Sequence, residues 1–187
     1  MKKYLCLNKQ EHLVNEFKIV PIRFQDRFDI MKWRNEQIYH LRQSHLLTIE
    51  DQESYFKNVI EPLFIQEQPN QILFSFLSNN SCIGYGGLVH INWLDKHAEI
   101  SFIMDTKLEK EYFQVLWSIF LNLIESVAFN DLKFHKIYTY AYDIRPQLFM
   151  LLNDCKYNNE AVLREHVYIN GVFENVLIHS KFNKFYL

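Results

Sequence analysis

Apolar and polar residues alternate in the middle of the chain, from His97 to Phe102, and the apolar Ile103 and Met104 follow before Asp105. The alternation predicts a strand with an apolar face and a polar face. The apolar face carries Ala98, Ile100, Phe102 and Met104, and the polar face carries Glu99 and Ser101. After a polar stretch at 106–111, apolar residues recur at helical spacing from Tyr112 to Phe129, and a further strand is predicted at 133–142. Strand, helix and strand in this order predict a crossover unit in which a helix covers a sheet.

The remaining pattern predicts more strands and helices on both sides of this unit. The predicted strands are 17–23, 71–77, 82–93, 156–169 and 172–181, and the predicted helices are 24–35, 48 to about 61 or 64, and 145–154. Residues 1–16 show no clear pattern and form either an arm or an added strand. Residues 37–47 are a loop or broken helix that carries His40, Arg42 and His45 among apolar residues. These elements predict an α/β (α+β) fold with a central mixed sheet, in one domain over residues 1–187.

A short hairpin before the central strand predicts which residues face one another. If Asp95 and Lys96 form its loop, Leu94 pairs with His97, Asn92 lies opposite Glu99, and His90 lies opposite Ser101. A carboxylate in an apolar strand is costly unless it is hydrogen-bonded or used. The hairpin therefore predicts that Glu99 shares a face with His90 and Asn92, as a structural partner or as a catalytic base.

Three of the four glycines, Gly84, Gly86 and Gly87, fall in one predicted strand. Glycine weakens a strand, so its use here indicates either a tight crossing or the close approach of a ligand, and the sequence favours neither.

Composition narrows the class of protein. The net charge of −2 and the pI of about 6.4 argue against nucleic acid or a membrane surface as the partner. Cys6, Cys82 and Cys155 show neither disulfide nor metal spacing, so we expect no metal and a reduced, cytoplasmic protein. Met1-Lys2-Lys3 is followed by polar residues rather than an apolar run, which predicts no signal peptide. The longest apolar stretch is interrupted by polar residues, which predicts a core helix rather than a membrane span.

Several segments together resemble the GNAT superfamily of acetyl-CoA-dependent N-acetyltransferases. They are HAEISF at 97–102, AFNDLKFHKIY at 128–138 and RPQLFMLLNDCKY at 145–157. A more specific resemblance, to bacterial enzymes that acetylate nucleotide-linked amino sugars, is carried by MKWRNE at 31–36, IGYGGLVHINW at 83–93 and LREHVYINGVFENVLIHS at 163–180.

The resemblance implies acetyl transfer from acetyl-CoA to a primary amine. Glu99 matches the strand glutamate that many members use as general base, and His90 is the second base candidate. The family's parallel strands splay apart to admit the cofactor, which places backbone groups of Ile103 and Met104 against pantetheine. The alternative enzyme modifies an N-terminal or side-chain amine of a protein, and a non-catalytic ligand-binding relative is the third possibility.

The family's glycine-rich pyrophosphate loop has no counterpart in this sequence. The matching stretch, which contains Lys107, Leu108, Glu109, Lys110 and Glu111, lacks glycine. A helix N-terminus still binds phosphate through its N–H groups, so we expect this stretch to do so with help from the two lysines. Arg145 stands where many members have an asparagine that contacts pantetheine, and Leu152 replaces the tyrosine that often protonates the leaving thiolate.

The same resemblance implies the acceptor pocket. Trp33, Arg34 and Asn35 match a Trp-Arg-Asn segment that borders it, although an amphipathic helix explains this segment equally well. Asn92 on the sheet, and Arg164 and His166 on the late strand, complete the expected acceptor-binding set. The acceptor is then a small-molecule amine, most simply a nucleotide-linked amino sugar, and a homodimer stays open.

Overall fold

The alternating segments form one mixed sheet in the computed structural model, which describes residues 2–184. Within these residues the strands are β1 (His12–Val14), β2 (Phe17–Pro21), β3 (Ile72–Ser78), β4 (Ser81–Asn92), β5 (His97–Met104), β6 (Lys136–Tyr142), β7 (Asn158–Ile169) and β8 (Val172–Phe182). The order is β1-β2-β3-β4-β5-β6-β8-β7, and every neighbouring pair is antiparallel except the parallel pair β5–β6. The predicted fold class is confirmed. Met1 and residues 185–187, which belong to the predicted domain and, for Met1, to the signal-peptide argument, lie outside the described residues.

Five α-helices connect these strands within the described residues 2–184. They are α1 (Arg27–Glu36), α2 (Ile49–Tyr55), α3 (Glu61–Leu63), α4 (Thr106–Glu125) and α5 (Pro146–Asp154). π-helical turns join α2 to α3 and extend α4 to Asp131, and short 3-10 turns lie at Phe24–Asp26 and Ile38–His40. The predicted N-cap of α2 is present, because the Thr48 hydroxyl accepts from Asp51 N–H at 3.1 Å and the Asp51 carboxylate accepts from Thr48 N–H at 3.0 Å.

The long helix α4 packs its apolar face on the sheet. Phe120, which is fully buried, stacks on Phe102 of β5 with ring centres 3.8 Å apart, and Trp117 meets the same ring edge-on at 4.8 Å. The stretch Thr106–Asp131 is long and apolar enough to cross a membrane by length and composition alone. Because its aromatic residues are stacked against a strand of the same chain, we interpret α4 as the core helix of this domain.

Two segments without a clear pattern acquire structure in the fold. The polar stretch at 106–111 forms the first turns of α4, because the Asp105 carboxylate caps them. Residues 1–16, for which the sequence left an arm or an added strand open, contribute strand β1 and the buried Tyr4, whose hydroxyl accepts from Leu73 N–H at 3.0 Å and donates to Leu73 O at 2.9 Å. The local sequence pattern does not predict these hydrogen bonds, because they join residues that are distant in the sequence.

The glycines of β4 mark a tight crossing of strands. A Cβ on Gly86 would lie 2.2 Å from the backbone oxygen of Ser101 in β5, and one on Gly87 would lie 2.0 Å from that of Ile72 in β3. Gly87 also adopts a φ of +158°, which L side chains rarely take. The close approach of neighbouring backbone therefore explains why both positions are glycine. Of the two alternatives left open by the sequence, a tight crossing and the approach of a ligand, the structure supports the tight crossing.

We expect Gly86→Ala to lower the free energy of unfolding by about 1–3 kcal/mol, as overpacking of a core does. The cause is the added methyl group, which meets backbone of β5 and the ring of Phe120 at 2.9 Å. Urea unfolding measures the loss. Ser81→Ala, at the exposed start of the same strand, is the matched control and should change the value by less than about 0.5 kcal/mol. An unchanged Gly86→Ala variant would contradict the crossing.

Candidate active site

A cleft opens between the two parallel strands. β5 and β6 pair only at His97–Lys136, Ala98–Ile137 and Glu99–Tyr138, and beyond Glu99 they separate. The cavity there has a volume of about 350 Å³. Residues of both strands line it, together with α4, α5 and the loop after α1; they include Glu99, Ile103, Trp117, Thr139, Tyr140, Tyr142, Arg145, His40, Arg42 and His90. The splayed pair expected from the resemblance is present.

Glu99 places a carboxylate at the point where the strands part. Its side chain is only 6% exposed, and it is ion-paired with Arg42. Burial raises the pKa of Glu99 above its ordinary value, while Arg42 and, to a smaller extent, His90 oppose the rise. A carboxylate with a raised pKa beside a cavity is chemically suited to accept a proton near neutral pH.

His90 approaches Glu99 through a bulge rather than through the predicted register. Val89 pairs with Glu99 and Gly87 with Ser101, so the predicted pairing of Asn92 with Glu99 is wrong. The hairpin turn spans Trp93–Lys96, and His90 adopts a φ of +49°. The bulge brings His90 Nε2 to 4.0 Å from Glu99 Oε2, with the His90 side chain 62% exposed.

Asn92 closes the hairpin turn instead of facing Glu99. Its side-chain oxygen accepts from Asp95 N–H at 2.8 Å, and its amide nitrogen donates to Asp95 Oδ2 at 2.8 Å. Side-chain closure of this kind stabilises a longer turn and thereby shifts the strand register. Asn92 is not among the residues that line the cleft.

Arg42 is a site residue that the sequence analysis noted but did not assign. It lies in the loop after the 3-10 turn Ile38–His40, and its guanidinium carbon is 4.6 Å from the centre of the Tyr140 ring. With 45% of the side chain exposed, it joins the buried Glu99 to solvent. The sequence signal was a loop with three titratable side chains among apolar residues, but which of them reached the sheet depended on the loop conformation.

Of the Trp-Arg-Asn segment on α1, only Arg34 reaches the cleft. Arg34 Nη1 donates to the Tyr85 hydroxyl at 2.6 Å and Nε donates to Gln43 Oε1 at 3.0 Å. Trp33 is 3% exposed and donates its indole N–H to Asp105 at 3.1 Å. Asn35 holds the following loop, donating to Leu47 O at 2.9 Å and accepting from Leu47 N–H at 2.8 Å.

The start of α4 does not present the free N–H groups that the sequence analysis expected. Asp105 Oδ1 accepts from Lys107 N–H at 2.8 Å and from Leu108 N–H at 3.3 Å. Thr106 donates its hydroxyl to Glu36 at 2.5 Å. The Asp105 carboxylate thus caps the first N–H groups of α4, and a non-helical residue, Tyr112, interrupts the helix further on. Phosphate binding by this stretch stays a prediction. Lys107, Lys110 and Glu111 are surface side chains of this first turn and the next.

Arg145 and Glu109 form a buried ion pair at the edge of the cleft, with side chains 7% and 13% exposed. His40 Nδ1 lies 3.3 Å from Arg145 Nη1. Burial, followed by the charge of Arg145, lowers the pKa of His40 to about 3, so His40 is neutral. The pair fixes α5 against α4, and it leaves Arg145 among the lining residues.

The remaining expected residues divide between the cleft and the surface. Ile103 lines the cleft, whereas Met104 is 1% exposed and its carbonyl accepts from Gln37 Nε2 at 2.8 Å. Arg164 and His166 lie on β7 beside a strand irregularity, and the His166 ring is 6.1 Å from the Tyr140 ring. Among residues 2–184, no group of three or more His, Cys, Asp or Glu side chains could hold a metal ion.

A buried carboxylate at the opening of a splayed parallel strand pair is the arrangement expected of acyltransferases that hold a thioester between two strands and transfer its acyl group to an amine. The model of the acetyltransferase (GNAT) domain matches residues 19–175. The chain belongs to this family and is an N-acetyltransferase that uses acetyl-CoA as co-substrate.

Solved structures show the same fold. Spermidine N-acetyltransferase from Vibrio cholerae, in complex with CoA and spermine, matches with a TM-score of 0.80 and 18% identity, covering 91% of this chain and 97% of that one. A dodecameric structure of the spermidine N-acetyltransferase from the same organism matches with a TM-score of 0.76 and 21% identity, covering 93% and 98%. No curated protein matches the sequence. At these identities the likeness concerns the fold.

We expect Arg42→Gln to move the acidic limb of the pH–rate profile to higher pH. Arg42 lowers the pKa of Glu99 against the effect of burial, so its removal raises that pKa and the base ionises later. The measurement is kcat/KM against pH. Lys57→Gln, which removes an exposed charge on the π turn after α2, is the control. A limb that stays in place or moves to lower pH would show that Arg42 does not act on the base.

Proposed function

We propose that this protein transfers acetyl from acetyl-CoA to the primary amine of an anionic small molecule, namely a nucleotide-linked amino sugar. The charge of the cleft carries the proposal. Among residues 2–184, Glu99 is the one carboxylate that lines the cavity, whereas Arg34, Arg42 and Arg145 line it with two histidines. Guanidinium groups bind phosphate through paired N–H donors, and a diphosphate bridge supplies the matching anion.

Arg42 is the group best placed to bind that anion. Arg34 is held by Tyr85 and Gln43, and Arg145 by Glu109, while Arg42 keeps 45% of its side chain exposed. The ring beneath it belongs to Tyr140, and an aromatic face also suits the apolar face of a sugar. This arrangement supports an acceptor with phosphate and sugar in one molecule.

Glu99 is the proposed base. A protonated acceptor amine cannot attack the thioester, so a base must remove its proton before or during the reaction. Glu99 borders the cavity, its pKa is raised by burial, and it can take this proton directly or through water. His90, 4.0 Å away and exposed, is the route by which the proton reaches solvent.

Paired acceptors test the proposal. We expect UDP-glucosamine to give a kcat/KM at least about tenfold above that of free glucosamine, a difference of about 1.4 kcal/mol, when thiol release from acetyl-CoA is followed. Spermidine, the substrate class named for the similar Vibrio cholerae structures, should be the poorest acceptor because several ammonium groups would meet the arginines. At a pH where Glu99 is ionised in both proteins, Arg42→Gln should reduce the advantage of UDP-glucosamine over glucosamine, because both acceptors share the base but only one carries the diphosphate. A preference for spermidine or for a peptide amine would overturn the acceptor class.

The third possibility from the sequence, a non-catalytic relative that binds ligand without transfer, is tested with the donor. Saturable binding of acetyl-CoA in calorimetry, followed by thiol release with an acceptor, would exclude it. A cytoplasmic location and a homodimer stay predictions.

A further inference from the structure

The wall of the cavity on the side of α5 is mostly apolar. Leu148 lines it from α5, and Leu152 of the same helix and Ile137 of β6 are fully buried on this side. Acetyl transfer breaks the C–S bond of the thioester and leaves negative charge on the sulfur. In apolar surroundings such a charge is costly unless a hydrogen-bond donor contacts it. The reaction therefore needs a donor where the sulfur leaves.

Thr139 places a hydroxyl on this wall. It is the first residue of β6 after the last parallel pair, Glu99–Tyr138, and it lines the cavity with a side chain that is 3% exposed. Its hydroxyl has no hydrogen-bond partner among residues 2–184. A buried hydroxyl without a partner is costly and uncommon in folded proteins. Since the fold does not use this hydroxyl, its position indicates a role toward a bound ligand.

The two strands place Thr139 and Glu99 on opposite faces of the sheet. Glu99 pairs with Tyr138, and paired residues share a face, whereas Thr139 is the next residue along β6. Thr139 is on the side of α5, because its cross-strand neighbour on β8, His179, stacks on Phe149 of that helix with ring centres 5.3 Å apart. A thioester in the opening then has the base on one side and a hydroxyl on the other.

We propose that Thr139 is a catalytic residue whose hydroxyl donates a hydrogen bond to the thioester sulfur and stabilises it as the C–S bond breaks. This rests on the proposed role of Glu99, which fixes the side from which the amine attacks. The ammonium gives one proton to Glu99, and the free amine forms the C–N bond and loses its second proton to water. The electron pair of the C–S bond leaves on sulfur, and the released thiolate takes a proton from water. Thr139 keeps its own proton throughout.

Thr139→Val removes the hydroxyl and keeps the branched shape of the side chain. We expect kcat with acetyl-CoA to fall about 10- to 100-fold, the usual effect of losing a hydrogen bond to a charged group. The dissociation constant of acetyl-CoA in calorimetry should stay within about threefold, because the bond strengthens only when the sulfur carries charge. Thr139→Ser, which keeps a hydroxyl, should retain kcat within about fivefold. The midpoint of urea unfolding of Thr139→Val should lie at or above that of wild type, because an unpartnered hydroxyl is removed.

A donor with a better leaving group makes the test specific for the sulfur. Acetyl-seleno-CoA keeps the whole donor but replaces the sulfur with selenium, which leaves as a weaker base and needs less stabilisation. In a single turnover, Thr139→Val should slow transfer from this donor by less than about threefold. Equal losses with the two donors would overturn the proposal, because the hydroxyl would then not act on the leaving atom. An unchanged kcat of Thr139→Val with acetyl-CoA would overturn it as well.

Tyr142→Phe tests the rival donor on the same strand. Its phenol lines the cavity from the other face of β6, and burial raises the pKa of Tyr142, which makes it a weaker acid. A large loss of kcat in this variant, with none in Thr139→Val, would overturn the proposal in favour of Tyr142. All variants are assayed with the acceptor that wild type uses best. A poor rate with UDP-glucosamine then overturns the proposed acceptor class alone, and it leaves the comparison at Thr139 intact.

Discussion

Glu99→Gln should lower kcat/KM by a factor of about 10²–10⁴, which is the usual contribution of a positioned general base. Glutamine keeps the shape of the side chain and can still contact Arg42, but it cannot accept the amine proton. The affinity for acetyl-CoA should change little, because the carboxylate is paired with Arg42 at the mouth of the cavity. Steady-state kinetics with UDP-glucosamine, together with calorimetry for the donor, separates the two effects.

The pH profile gives an independent check on this variant. Because burial raises the pKa of Glu99, the rate of wild type should rise with pH above the ordinary range of a glutamate. Glu99→Gln should lose this limb or move it upward. His90→Gln is the control, since it alters the exposed neighbour at 4.0 Å. If His90→Gln is the inactive variant and Glu99→Gln is not, the base is His90. Activity in both would leave proton removal to solvent.

Arg145→Met should lower the free energy of unfolding by about 3–5 kcal/mol, the cost of leaving a buried charge without its partner. Glu109 is 13% exposed, and burial already raises its pKa while Arg145 opposes the rise. In the variant the pKa of Glu109 rises further. The folded state then binds a proton more tightly than the unfolded state, so its stability is greatest at low pH and falls as pH rises. Urea unfolding should show the smaller loss at about pH 5 and the larger at about pH 8.

The double variant Arg145→Met/Glu109→Gln is the control for the ion pair. It removes both charges, so it should be more stable than Arg145→Met alone by about 1–3 kcal/mol. A loss that is equal in the single and double variants would mean that Arg145 stabilises through packing on Phe113, whose ring centre is 5.4 Å from its guanidinium carbon. In that case the loss would also be independent of pH.

Local pattern was sufficient to predict most of the fold. Alternation located β5, and the hydroxyl followed by acids located the start of α2, because each signal lies within a few residues of the element it defines. The hairpin register was predicted incorrectly, because the Asn92 side chain closes the turn and a bulge forms at His90. Neither feature alters the alternation of apolar residues from which the register was predicted.

The sequence predicted a site residue only where the pattern of a single strand was enough to place it. Glu99 follows from the alternation of β5, but its partner Arg42 comes from a loop about 57 positions away in the sequence, and only tertiary structure joins them. Trp33 and Asn35 show the converse. The resemblance located them near an acceptor, whereas their hydrogen bonds hold Asp105 and the loop at Leu47. Sequence spacing does not distinguish a side chain that binds ligand from one that supports the residues beside it.

The short parallel join between β5 and β6 divides the sheet into two units. β1 to β5 form one antiparallel unit, β6 to β8 form another, and residue pairs His97–Lys136 to Glu99–Tyr138 are the strand pairing that connects them. A donor arm bound in the gap would act as a removable strand that joins both units. Amide hydrogen exchange in Thr139–Tyr142 should therefore slow when donor is bound, and exchange in the two units should become more closely coupled than in the free protein.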